Sequence, residues 1–288
     1  MIAFYEDLLN YEFLQKALFT SVMVGIICGV IGSFIVLRGM SLIGDAISHA
    51  VLPGVAISYM LGINFFYGAV VTGMLTAVGI GFINQNSRIK NDSAIGIVFS
   101  SAFAIGVILI AQANSSIDLN RILFGSVLSV KTSDMWMTLI IGAIVLLTVI
   151  IFYKELLVST FDPTFAASYG LPNKFIHYLV MILLTLVTVA SLQTVGIILV
   201  VAMLITPAST AYLLTNRLST MIVLASFFGA MSSIIGLYFS FEYNLSSGAV
   251  IVLVATTLFL LAFFFSPKEG LITRSLRSKK KKSVTTIS

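Results

Sequence analysis

Charge is what this sequence has least of. Its 288 residues include 16 Lys or Arg and 11 Asp or Glu, 9% in all, and two histidines. A water-soluble domain carries roughly 25% charged residues, so a chain this bare cannot cover a water-facing surface. The shortage excludes a soluble enzyme and a nucleic-acid binder. The net charge of +5 is no basic patch, because the positive residues sit at the ends of apolar runs and in the tail. The single cysteine, Cys28, lies in an apolar segment. It excludes an internal disulfide and a multi-cysteine metal cage, and it reads as a small buried hydrophobe. There is no G-x-x-x-x-G-K-S/T and not one Gly-Lys pair, so the chain does not hold nucleotide through a P-loop. H-E-x-x-H is missing too, which weighs against a membrane-embedded metalloprotease. The start is acidic (Glu6, Asp7, Glu12) and lacks the basic stretch of a cleavable signal peptide.

What remains is apolar. Hydrophobic residues make up 59% of the chain and the mean hydropathy is +1.09. About 20 apolar residues cross a bilayer core, which predicts spans over 17–37, 39–62, 63–83, 94–112, 135–153, 175–192, 195–215, 221–239 and 248–265. The second and third adjoin with almost no loop, so the count is eight if one is re-entrant and nine if both cross. The predicted fold class is all-α, a polytopic transmembrane helix bundle. Positive residues favour the cytoplasmic side. With the loops after odd-numbered spans placed there, thirteen of the sixteen Lys and Arg are cytoplasmic, and Lys16, Arg121 and Lys131 are outside. The expected arrangement has a short extracytoplasmic N-terminal segment (1–14), a transmembrane domain (15–267) and a basic cytoplasmic tail (268–288). Lys279 to Lys282 read as a solvated anchor.

Ionisable residues within a span are costly and point to function. His177, two residues into the sixth span, reads as interfacial. The second span is different, running Gly39-Met-Ser-Leu-Ile-Gly-Asp45-Ala-Ile-Ser-His49-Ala-Val-Leu-Pro53-Gly54. Asp45 and His49 are four residues apart and share a helix face. If the helix ran on from Arg38, His49 would lie about 16 Å from it, near the bilayer midplane. A carboxylate and an imidazole suit Mn²⁺, Zn²⁺ or Fe²⁺. Pro53 lacks an N–H, so it predicts a kink and a carbonyl left without its helical donor at His49, with Gly54 beside it. Two ligands do not complete a shell, so others must come from another helix, backbone, water or a second subunit. A structural Asp–His pair is the competing reading.

The loop between spans five and six carries helix punctuation. Asp162 suits an N-cap and Pro163 a first helical position. Gly170 suits the stop, and Pro172 bars continuation. A short helix outside the membrane is predicted, which must dock on something: a separate ATPase, or the membrane surface.

At these residues the chain resembles the metal-ion ABC permeases, the zinc/manganese/iron group called ABC-3. The stretch from Leu37 to Gly54 resembles the signature of that family. Asp118 to Ser126 resembles its Leu-Phe-Gly stretch, Phe161 to Leu171 its coupling helix, and Val195 to Ala211 its Gly-to-Pro-Ala segment. The resemblance runs over about 15–265. It implies a homodimer of permeases around a central pathway, two cytoplasmic ABC ATPase subunits that hold the ATP, and an extracytoplasmic metal-binding protein. It implies metal transport past Asp45 and His49, and coupling to the ATPase through Asp162, Pro163, Ala166, Ala167, Gly170 and Leu171. The likeness is strongest to manganese members. The chain itself is expected to be a transport subunit with no catalytic residues, in a bacterial cell membrane. An ion-coupled secondary transporter that needs no ATPase is the alternative.

Overall fold

A computed structural model describes residues 7–112 and 127–266, with Lys268 and Gly270. Among these described residues twelve α-helices run in the order α1 (Glu12–Leu37), α2 (Ser41–Ala50), α3 (Leu52–Leu61), α4 (Phe65–Asn86), α5 (Asn91–Gln112), α6 (Thr132–Ile151), α7 (Tyr153–Phe161), α8 (Pro163–Ser168), α9 (Asn173–Val195), α10 (Ile197–Leu214), α11 (Leu218–Glu242) and α12 (Ser247–Phe265). A helical turn over residues 7–10 precedes α1, and a 3-10 turn (Val127–Ser129) precedes α6. Among the described residues there is no strand.

Among the described residues nine stretches are long and apolar enough to cross a membrane, with α2 and α3 together forming the second. The adjoining second and third spans are thus both present. Between them, Gly62 takes a left-handed φ of +68° and Asn64 caps α4, its Oδ1 accepting from Phe66 N at 3.0 Å. The first helix begins at Glu12, five residues before the predicted span, and the exposed Glu12 pairs with the half-buried Lys16 one turn on.

The spans are apolar on all sides, so no amphipathic stripe marks the core. Small residues mark it instead, by letting backbones approach. α1 is the axis of the bundle. Gly25 and Gly229 bring α1 and the antiparallel α11 together, and Gly29 meets Ala225 one turn along. Ser233 Oγ bridges the crossing by donating to Ser21 O at 2.9 Å and to its own Gly229 O at 3.0 Å. Cys28 is fully buried, its Sγ 4.0 Å from Ser191 Oγ. Several interior hydroxyls donate to the carbonyl one turn back, as Ser33 does to Gly29 O and Ser48 to Gly44 O, both at 2.8 Å. Those groups are satisfied within their own helices.

One end of the bundle gathers the odd-numbered loops. Arg38, after α1, donates to Thr160 Oγ1 at 3.1 Å and to Ser159 Oγ at 3.2 Å on α7. The end of α1 also packs with Ala208, Ala211 and Met221. Lys268, after α12, donates to Thr215 O at 3.3 Å, after α10.

Candidate functional site

Gly39, at φ +65°, turns the chain between α1 and α2. The helical rise toward His49 therefore counts from Ser41 and comes to about 12 Å, shorter than the uninterrupted helix assumed from sequence. On α2, Ile43, Ala46, Ile47 and Ala50 are buried, while Leu42 and Asp45 look out of the chain. Asp45 Oδ1 lies 3.6 Å from His49 Nε2, with side-chain exposures of 48% and 24%. That distance is too long for a hydrogen bond. It is a gap that two metal–ligand bonds of about 2.1 Å can span. The other imidazole nitrogen, Nδ1, is buried without a hydrogen-bond partner. The ring is held by two aromatics of α5, Phe99 at 5.7 Å and 60° and Phe103 at 5.9 Å and 81°.

The second span is interrupted at Val51, two residues before Pro53, which lies in the first turn of α3. Gly54 then does more than accompany the proline. A Cβ on Gly54 would strike the carbonyl of Gly68 on α4, and one on Gly68 would strike that of Gly54. From the other side, Gly106 of α5 lies against Leu52 and Pro53. The break is thus clamped between α4 and α5, and Thr72 Oγ1 of α4 comes within 3.4 Å of Val51 O. Among the described residues no cluster of three or more His, Cys, Asp or Glu forms, so the pair has no third acidic, thiol or imidazole partner within the described chain.

The segment after α6 is helical sooner than sequence suggested. Phe152 interrupts the helix, and α7 continues it to Phe161. Asp162 caps α8, accepting from Phe165 N at 2.8 Å, with Pro163 in the first turn. The far end closes by two bonds, Leu171 N to Ala166 O at 3.0 Å and Gly170 N to Ala167 O at 3.1 Å, with Gly170 at φ +82°. This is the glycine-stopped helix end of a Schellman motif. Ala166 is buried against the bundle. So the residues predicted to couple build and seat the short helix. What it presents outward is a stacked pair that sequence reading missed: Phe165 and Tyr169, centroids 6.0 Å apart, are 54% and 78% exposed. The i, i+4 aromatic spacing was the available signal. The Asp118–Ser126 stretch lies outside the described residues, as does most of the basic tail.

The ABC 3 transport family matches residues 10–266. The chain is 70% identical over 269 residues to a manganese transport system membrane protein, MntC, of Listeria monocytogenes, covering 93% of this chain and 96% of that protein. It is 61% identical over 286 residues to the MntC of Halalkalibacterium halodurans, covering 99% and 98%. Among solved structures it resembles PsaBC from Streptococcus pneumoniae in complex with Fab, at 53% identity and a TM-score of 0.86, covering 97% of this chain and all of that one. By family match, identity and shared fold, the chain belongs to the ABC 3 transport family.

Proposed function

We propose that this chain is the membrane permease of an ATP-driven manganese importer, in which Asp45 and His49 hold the ion part-way across the bilayer. The observation that carries the reading is the pair itself. A half-exposed carboxylate and an imidazole stand 3.6 Å apart, the two ionisable side chains of an otherwise uncharged span. A carboxylate left facing lipid there would be costly, so Asp45 faces a pathway or another protein. Relatives named for manganese support the choice of metal, and Zn²⁺ and Fe²⁺ suit the same two donors.

The chain is a multi-pass protein of the bacterial plasma membrane and does no chemistry itself; its family places the ATPase in a separate subunit. A second copy of this chain supplies the missing ligands, bringing another Asp45 and His49 to a shared central pathway. The N-terminus lies outside and the C-terminus in the cytoplasm. The bundle end that gathers Arg38, α7, α8, Thr215 and Lys268 supports that orientation, because it is the positive end. An extracytoplasmic metal-binding protein delivers the ion from the other side. ATP binding and hydrolysis in the partner move α8, and the bundle opens inward. The ion must leave as well as bind, so a sparse site serves better than a closed cage.

The test is metal accumulation in a strain that lacks its own manganese and zinc importers, with this chain expressed beside its ATPase. Wild type accumulates manganese; His49→Ala and Asp45→Ala assemble in the membrane and do not. Zinc accumulation in its place would overturn the metal. Undiminished uptake by both variants would overturn the site.

A further inference from the structure

The bundle end that carries α7 and α8 holds a cavity of about 650 Å³. Arg38, Lys174 and His177 line it, with Gln85, Asn86 and Ser159 as polar neighbours, and no carboxylate is among its lining residues. Glu155, one turn before Ser159, does not reach it. Among the described residues Arg38 donates to the neutral hydroxyls of Thr160 and Ser159. Among the described residues no carboxylate lies within 4.0 Å of its guanidinium. Burial pulls the Arg38 pKa below the ordinary guanidinium value, yet an arginine stays charged in a protein. His177 Nε2 is buried and unpartnered in the same place. A cation withdrawn from water without a counter-charge is costly, and a second cation, Lys174, lines the same pocket.

Its outer wall identifies the anion. Val71, Leu75, Val78 and Phe82 form one exposed apolar stripe along α4, and Phe82, the last of them, also lines the cavity. The charged pocket is therefore continuous with a face fit for acyl chains. We propose that the cavity binds an anionic phospholipid, its phosphate on Arg38, Lys174 and His177 Nε2 and its chains along the Val71–Phe82 stripe. Basic pockets between transmembrane helices at the cytoplasmic side are where such headgroups bind; the inference rests on the orientation proposed above. The lipid also touches the root of α8. Pro163 and Asn173 both line the cavity, and Asn173 Nδ2 donates to Pro163 O. Occupancy braces the base of the helix that meets the ATPase.

The experiment is native mass spectrometry of the delipidated permease–ATPase complex, titrated with dioleoyl phosphatidylglycerol or dioleoyl phosphatidylcholine. Phosphatidylglycerol binds at least about tenfold more tightly. Lys174→Gln weakens it about fivefold, the effect of one basic residue near an anionic headgroup, and Arg38→Gln weakens it more. Lys16→Gln, at the far end of α1, leaves it unchanged. Lys174 is exposed, so its variant decides the matter even if Arg38→Gln fails to assemble. Equal binding of the two lipids, or indifference to Lys174→Gln, overturns the proposal. So does inorganic phosphate binding as tightly as the lipid, which would make this a small-anion site. Lipid bound to the permease alone but lost in the complex also overturns it, and assigns the pocket to an acidic side chain of the ATPase. The assay reads binding without transport, so its outcome is separate from that of the metal assignment.

Discussion

Phe103 of α5 meets the imidazole of His49 edge to face, at 81° and 5.9 Å between centroids. Since His49 Nδ1 has no hydrogen-bond partner, aromatic packing against Phe103 and the adjacent Phe99 is what orients the ring. An aromatic pair of this kind contributes about 0.5–1.5 kcal/mol. Phe103→Leu therefore raises the manganese KM by roughly two- to tenfold, with maximal uptake and the amount of assembled complex nearly unchanged. Initial-rate uptake over a manganese series measures it. An unchanged KM would show that the ring is held by something other than α5.

Gly54→Ala tests the clamp around the helix break. The added Cβ runs into the Gly68 carbonyl, a rigid neighbour, so α3 and α4 must separate. Overpacking of a tight site costs typically about 1–3 kcal/mol, and the midpoint of thermal unfolding in detergent falls by several degrees. Uptake falls further than stability does, because the displaced segment begins five residues after His49. Gly79, with only ordinary contact around it, is the control: Gly79→Ala leaves the midpoint unchanged or raises it.

These two sites show where the sequence was readable. Asp45 and His49 stood out because an ionisable pair among apolar residues has few innocent explanations. The ends of α8 were legible at Asp162, Pro163 and Gly170 because capping is local chemistry, settled by a residue and its next three neighbours. Phe99 and Phe103 were not legible, since nothing in their own span separates a phenylalanine that packs on His49 from one that faces lipid. Gly54 was read with Pro53 as part of a kink, but its demand comes from Gly68 on another helix. Tyr153–Phe161 mixes charge with apolar residues and passes for loop until α7 is seen to continue α6. Arg38 read as a marker of the cytoplasmic boundary, and its half-buried place among neutral hydroxyls, with no carboxylate beside it among the described residues, required the fold.

Gly170→Val addresses the stop of α8. At φ +82° a side chain costs roughly 1–2 kcal/mol, and a β-branched one strains further. The bonds from Leu171 and Gly170 back to Ala166 and Ala167 are lost with that conformation. Transport falls while the spans remain folded, and ATP hydrolysis by the complex becomes insensitive to the metal-loaded binding protein. Gly170→Asn, which tolerates the left-handed region, restores much of the coupling. Full coupling in the valine variant would remove α8 from the transmission path.

Phe165 and Tyr169 make the sharper test of what α8 presents. They stack on each other at 21° and are mostly exposed, so neither supports the bundle. Replacing either with alanine changes the thermal stability of the isolated permease by less than about 0.5 kcal/mol. If the pair enters a cleft in the ATPase, it behaves as an interface anchor, where losing one aromatic costs about 2 kcal/mol or more. Affinity for the ATPase, measured between purified subunits in detergent, then drops by roughly 30-fold for each substitution. Loss of permease stability without loss of affinity would mean that the aromatics hold α8 in place and that its docking surface lies elsewhere, on the α7 side of Asp162.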